Sequence, residues 1–171
     1  MARDLTIKNA QELGIDLSAF HKPDFKWKNY YIEDEEQNLL FLVPSYPAYG
    51  VIILDLSLAK CTTFQTGDGA IHRLRDYTWG ISSNVRRTNY PKTTVTDRSI
   101  KSGRKTILLN SILLDHNLAI DPEGRYAITH INGNTYDNRL INLHWGSLKE
   151  NNNKKYSSSI PNIKYPFKVW W

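Results

Sequence analysis

Apolar residues recur in short bursts separated by polar turns, a spacing that predicts strands more often than helices. LLFLVP at 39–44 and VIILDL at 51–56 have strand length, and SYPAYG between them carries the proline and glycine of a turn, so the pair reads as a β-hairpin or two neighbouring strands. TGDG at 66–69 marks another turn, and YTWGIS at 77–82 reads as a strand carrying Trp79. TILLNSILLD at 106–115 is apolar throughout and suits a strand or a helix equally. Further on, YAITHI alternates as a strand does, INGNTYDN reads as a loop, and NLHW can return as a second strand. SLKENNN then opens with a serine followed three residues later by Glu150, the signature of a capped helix start. At the chain ends the pattern weakens. Residues 6–16 suit a short helix, 21–31 have no clear period, Glu33 to Glu36 form an acidic turn, and KKYSSSIPNIKYPFKVWW reads as an extended tail. The expected architecture is α+β, a strand-rich region followed by a C-terminal strand, loop, strand and helix.

Composition narrows the class. Within 171 residues, 40% are hydrophobic and 12% aromatic, enough for a real core and too much for wholesale disorder. No run approaches the ~20 apolar residues of a membrane span, and the first residues lack the apolar stretch of a secretory signal. A single cysteine, Cys61, excludes a disulfide framework and a four-cysteine zinc site. The expectation is an intracellular protein without a membrane partner.

Charge adds a direction. Residues 1–60 hold six Lys/Arg against nine Asp/Glu, a net of −3, whereas residues 61–171 hold sixteen against eight, a net of +8. The basic side suits an anionic polymer, although a solvated basic face with no partner has the same charge. The cations concentrate at 85–105, where Arg86, Arg87, Lys92, Arg98, Lys101, Arg104 and Lys105 alternate with threonine and serine and Gly103 suits a hairpin turn. Charge alone does not name that polymer. Arg125 and Arg139 flank the strand–loop–strand. Four segments follow: a slightly acidic extension at 1–60, a basic strand-rich region at 61–115, the chemistry-bearing motif at 116–155 and the tail at 156–171.

The motif carries the most specific signal. His130, Gly133-Asn134, Asp137-Asn138-Arg139, Asn142-Leu143-His144-Trp145 and Asn151 to Asn153 follow in order, with 12 residues from His130 to Asn142 and 9 from Asn142 to Asn151. This series resembles the ββα-metal motif of HNH endonucleases, in the branch of homing endonucleases carried by phages and other mobile elements. Asp76-Tyr77-x-Trp79 and LLNSILL at 108–114 extend the resemblance upstream. It implies a DNA endonuclease or nickase using Mg²⁺ or Mn²⁺, working in the cytoplasm of an infected or host cell. The resemblance also implies that the basic residues at 85–105 contact double-stranded DNA, as a β-ribbon that can enter a major groove, with Arg125 and Arg139 as phosphate clamps. His130 would deprotonate the attacking water, and Asn142 would orient it by fixing the loop or the imidazole tautomer. Asn151 would offer the cation an oxygen from the helix.

Two positions depart from the family. Thr129 stands where the family has a metal-binding aspartate immediately before the histidine, and a neutral hydroxyl is a poor ligand for a hard cation. Asp137 or Asp115 are the nearby carboxylates that could substitute. Leu109-Asn110-Ser111 replaces a usual Leu-His-Arg. A competing expectation is therefore a protein that keeps the fold without cutting and serves as a nucleic-acid-binding or structural component. The tail, ending in Trp170 and Trp171, is a candidate contact for a protein partner.

Overall fold

The computed structural model describes residues 17–45, 48–81, 90–117 and 127–146. The helices expected at 6–16 and after Ser147, the tail, and Arg86, Arg87, Arg125 and Asn151 lie outside them. The described part is mixed and strand-rich. Strands β1 (Tyr30–Glu33), β2 (Asn38–Ser45) and β3 (Ala48–Asp55) form an antiparallel meander, and helix α1 (Leu56–Cys61) follows directly. Strands β4 (Thr63–Gln65) and β5 (Ile71–Arg73) make a small hairpin. A second three-stranded antiparallel sheet has the order β6 (Gly80–Ile81), β7 (Pro91–Thr96), β8 (Arg104–Leu108), and helix α2 (Leu109–Asn117) leaves its last strand. The last hairpin pairs β9 (Ala127–His130) with β10 (Leu143–Gly146).

The hairpin expected from the two apolar runs is present, with Leu39 opposite Leu54 and Phe41 opposite Ile52. Its residues are not alternately buried. Every residue from Leu39 to Val43 and from Val51 to Leu54 is buried, so both faces of the hairpin are covered and the runs are continuously apolar. Leu39, Phe41, Val43, Ile52 and Leu54 join Trp27, Leu74, Trp79, Leu109, Leu113, Tyr136 and Leu143 in one cluster. The core therefore spans both sides of residue 60, where the sequence suggests a segment boundary, and α1 itself runs across that position. Burial of whole Leu, Ile and Phe side chains contributes about 1.5–3 kcal/mol each before entropy is charged against it.

The ambiguous run at 106–115 is both of the alternatives in turn. It stays extended to Leu108 while β8 pairs with β7, then coils from Leu109, where Leu109, Ile112 and Leu113 share a buried face at helical spacing. The turns at 66–69 and 97–103 appear as expected, with Gly69 and Gly103 at φ +86° and +71°. Two buried-side anchors tie the sheets together. The Asn29 amide accepts from Trp79 N at 3.0 Å and donates to Trp79 O at 2.8 Å, and the Trp79 indole donates to Leu74 O at 3.1 Å.

Candidate functional site

The β9–β10 hairpin carries the motif residues on a twelve-residue connection, 131–142, whose backbone is tied in part by its own asparagines. Asn132 Oδ1 accepts from Asn134 N at 2.9 Å and Asn134 Oδ1 from Tyr136 N at 3.0 Å, which fold the chain locally as asparagine turns do. Gly133 takes φ +77°, left-handed backbone that glycine adopts at no steric cost. Asn142, fully buried, closes the loop. Its Oδ1 accepts from Asn132 N at 2.9 Å, and its Nδ2 donates to Asn132 Oδ1 at 3.0 Å and Asp137 O at 2.8 Å. All of these bonds hold the loop, and none reaches the imidazole of His130.

The loop is not a free excursion. Ile53 N donates to Tyr136 O at 2.9 Å and Asn138 N donates to Ile53 O at 2.8 Å, so Asp137 lies beside Ile53 as a parallel bridge on the outer edge of β3. Leu140 N donates to Asp55 Oδ2 at 2.7 Å, a second attachment to the same strand end. Gly50 is required for this docking, because a Cβ there would stand 2.5 Å from Cε1 of the Tyr136 ring. The site is thus mounted on the central hairpin.

His130 ends β9 and is only 4% exposed. It shares a strand face with Ile128 and lies opposite Leu143, both part of or packed against the apolar cluster. The Tyr90 ring stands over it with centroids 5.8 Å apart. Its Nε2 is 3.0 Å from Asn138 Oδ1. Burial pushes the His130 pKa below the ordinary 6.5, against the opposing effects of the Asn138 bond and the nearby Asp137 charge. The ring is therefore neutral at neutral pH and able to accept a proton.

The two arms of Asp137 are occupied. Oδ1 accepts from Arg139 Nε at 2.8 Å, and Oδ2 accepts from Arg139 Nη2 at 2.6 Å and Asn132 Nδ2 at 2.9 Å. The pair is bidentate and buried, with the Arg139 side chain 11% exposed. Arg139, a candidate phosphate clamp by sequence, is thereby turned toward the loop. Thr129 is 7% exposed and lies on the opposite strand face, across from His144. Among the described residues no three His, Cys, Asp or Glu side chains gather as a cation set. Thr129 brings a neutral hydroxyl, and Asp137 is already neutralised by Arg139. Thr129 and Asp137 as they stand therefore do not fit the role of a free carboxylate ligand to Mg²⁺ or Mn²⁺.

The basic ribbon is the β7–β8 hairpin. Its turn is fastened from below by two carboxylates of different origin. Asp97 Oδ1 accepts from Ser99 N at 3.0 Å, Asp97 Oδ2 from Gly67 N at 3.1 Å, and Asp68 Oδ2 from Arg98 N at 2.8 Å. Hydrogen bonds from Thr66, Arg98 and Ala70 lower the Asp68 pKa to about 2, and Ser99 leads the lowering at Asp97. Lys92 and Arg104 are on the outward face with Thr94, Thr96 and Thr106, whereas Lys105 sits across from Val95 on the other face. Arg98 and Lys101 project from the turn, both exposed. The described cations therefore divide between the two faces and the tip of the ribbon.

Sequence spacing brought out His130 and Asn142 but gave Asn138 no role of its own. The only signal for it was its place inside Asp137-Asn138-Arg139. Compared with known proteins, the chain matches no family model, no curated protein and no solved structure.

Proposed function

We propose that the chain acts on double-stranded DNA as an endonuclease or nickase of the HNH homing type, with His130 as general base. The observation that carries this reading is the imidazole itself, neutral at working pH, held through one nitrogen and set at a strand end in an asparagine-laced loop. In such a reaction water oxygen bonds to phosphorus as the bond to the 3′ oxygen breaks, and the base removes the water's proton. The β7–β8 ribbon supplies the DNA-facing surface, with Lys92, Arg98, Lys101 and Arg104 for phosphates and threonines between them. Because Thr129 and Asp137 do not fit the role of a free carboxylate ligand, no step is assigned to a cation.

That same misfit favours a second reading, a protein that binds DNA without cutting it. Thr129 in place of an acid and an Asp137 spent on Arg139 are what support it. Supercoiled plasmid incubated with protein in Mg²⁺ or Mn²⁺ separates the two. Nicked or linear product, abolished by His130→Ala, is the expected result, and an EDTA arm reads whether cleavage draws a cation from solution. Intact plasmid with a salt-sensitive gel shift would overturn cleavage in favour of binding alone, and the absence of both would defeat both readings. The Thr129→Asp variant is the complementary arm, expected to tighten Mg²⁺ binding and to raise cleavage.

A further inference from the structure

We infer that Asn138 is the positioning residue for His130, and that it holds the ring as the Nε2–H tautomer with Nδ1 left to receive the proton. This rests on the proposed role of His130 and adds to it the atom that acts and the residue that selects it.

The argument turns on which way the Asn138 amide faces. An amide's oxygen and nitrogen ends are told apart by what they touch. One end of this amide meets two backbone carbonyls, Thr135 O at 3.2 Å and Tyr136 O at 3.1 Å. Carbonyl oxygens only accept, so that end is the NH₂ group. The other end, 3.0 Å from His130 Nε2, is then the oxygen. An amide oxygen cannot donate, so the hydrogen between them belongs to Nε2. A neutral imidazole carries one hydrogen, which leaves Nδ1 with its lone pair. Among the described residues no hydrogen bond occupies Nδ1.

The amide is itself held. Asn138 is fully buried, its own N–H is bonded to Ile53 O, and Tyr136 O, one of its two acceptors, also accepts from Ile53 N. Rotating the amide by half a turn would set its NH₂ group against Nε2, which could accept only in the other tautomer, and would set its oxygen against two carbonyls. The buried polar atoms would then face like partners, a cost of about 1–3 kcal/mol for each group left unsatisfied. The tautomer is thus set by the edge of β3 through Asn138. Asn142, expected to orient the ring by fixing the loop or the tautomer, fixes the loop.

The test is the tautomer, read by long-range ¹H–¹⁵N correlation on the full chain without DNA or metal. The expected result is a single Nε2–H form of His130, its Hε2 slow to exchange, with a coupling across the hydrogen bond to Asn138 Cγ. Asn138→Asp, which keeps an oxygen at that position, retains the slow Hε2 signal, while Asn138→Leu loses it. A dominant Nδ1–H form in the unmodified chain would overturn the inference, as would a slow Hε2 signal surviving in folded Asn138→Leu. Should either variant fail to fold, the measurement on the unmodified chain still decides. In the plasmid assay, Asn138→Leu lowers the cleavage rate at least about tenfold at unchanged DNA affinity. If the tautomer is as stated and plasmid stays intact, the nuclease reading fails while the positioning role stands.

Discussion

At the scale of single residues, the site is built from amides and one imidazole, and the consequences are thermodynamic as well as catalytic. The His130 pKa is depressed by burial, so between 6.5 and its folded value the unfolded chain binds a proton that the folded chain refuses. Stability is therefore full above pH 6.5 and falls as the pH drops through that window, by at most about 1.4 kcal/mol per pH unit. Urea unfolding at a series of pH values checks this, and His130→Gln should flatten the slope below pH 6.5. Asn142→Ala removes one acceptor and two donor bonds inside the loop and should cost about 2–4 kcal/mol, measured in the same unfolding assay. His130 and Asn142 were legible in the sequence because order and spacing single them out. Their division of labour was not. Spacing places residues along a loop, but which amide reaches the imidazole depends on how the loop closes in three dimensions, and Asn132, Asn138 and Asn142 are chemically identical until it does.

The elements show the same contrast between pattern and pairing. Strand-forming runs and glycine turns read directly from the sequence became β2–β3, β4–β5, β7–β8 and β9–β10, because short apolar runs and left-handed backbone are local properties. The run at 106–115 could not be assigned from its own residues. Its first half is extended because β7 pairs with it, and its second half coils to pack Leu109 and Leu113 into the core. The basic ribbon was legible as a cluster, while its faces depend on register. With Lys92 and Arg104 outward and Lys105 across from Val95, substitutions should not act alike. Replacing Lys92 or Arg104 by alanine is expected to reduce the slope of log affinity against log salt by about one each, whereas Lys105→Ala leaves it nearly unchanged. Gel shifts across a salt series measure it.

For the molecule as a whole, the lesson lies in the first sixty residues. Their composition read only as slightly acidic and folded, yet they supply Trp27, Leu39, Phe41 and Val43 to the cluster that also holds Leu109 and Leu143. Long-range packing of this kind leaves no local signal, since each run is apolar whether its partner is near or far in sequence. No helix among the described residues is long and apolar enough to cross a membrane. Because the loop that carries His130 is bonded to Ile53 and Asp55, a chain beginning at residue 61 should lose the site along with the meander. Proton NMR of that fragment is expected to show collapsed amide dispersion and no protected Asn138 amide.

The seating of the loop on β3 also decides how the protein fails. Val51 to Leu54 form a mostly β-branched, uncharged stretch whose outer backbone is covered at Ile53 by Tyr136 and Asn138. Bare strand edges of that composition pair readily with copies of themselves. A substitution that unseats the loop therefore uncovers a sticky edge together with spoiling the chemistry. Variants of Gly50, Asn138 or Asn142 should partition into insoluble material in proportion to how far they free it, so that solubility during expression becomes a sensitive gauge of the integrity of the His130 loop.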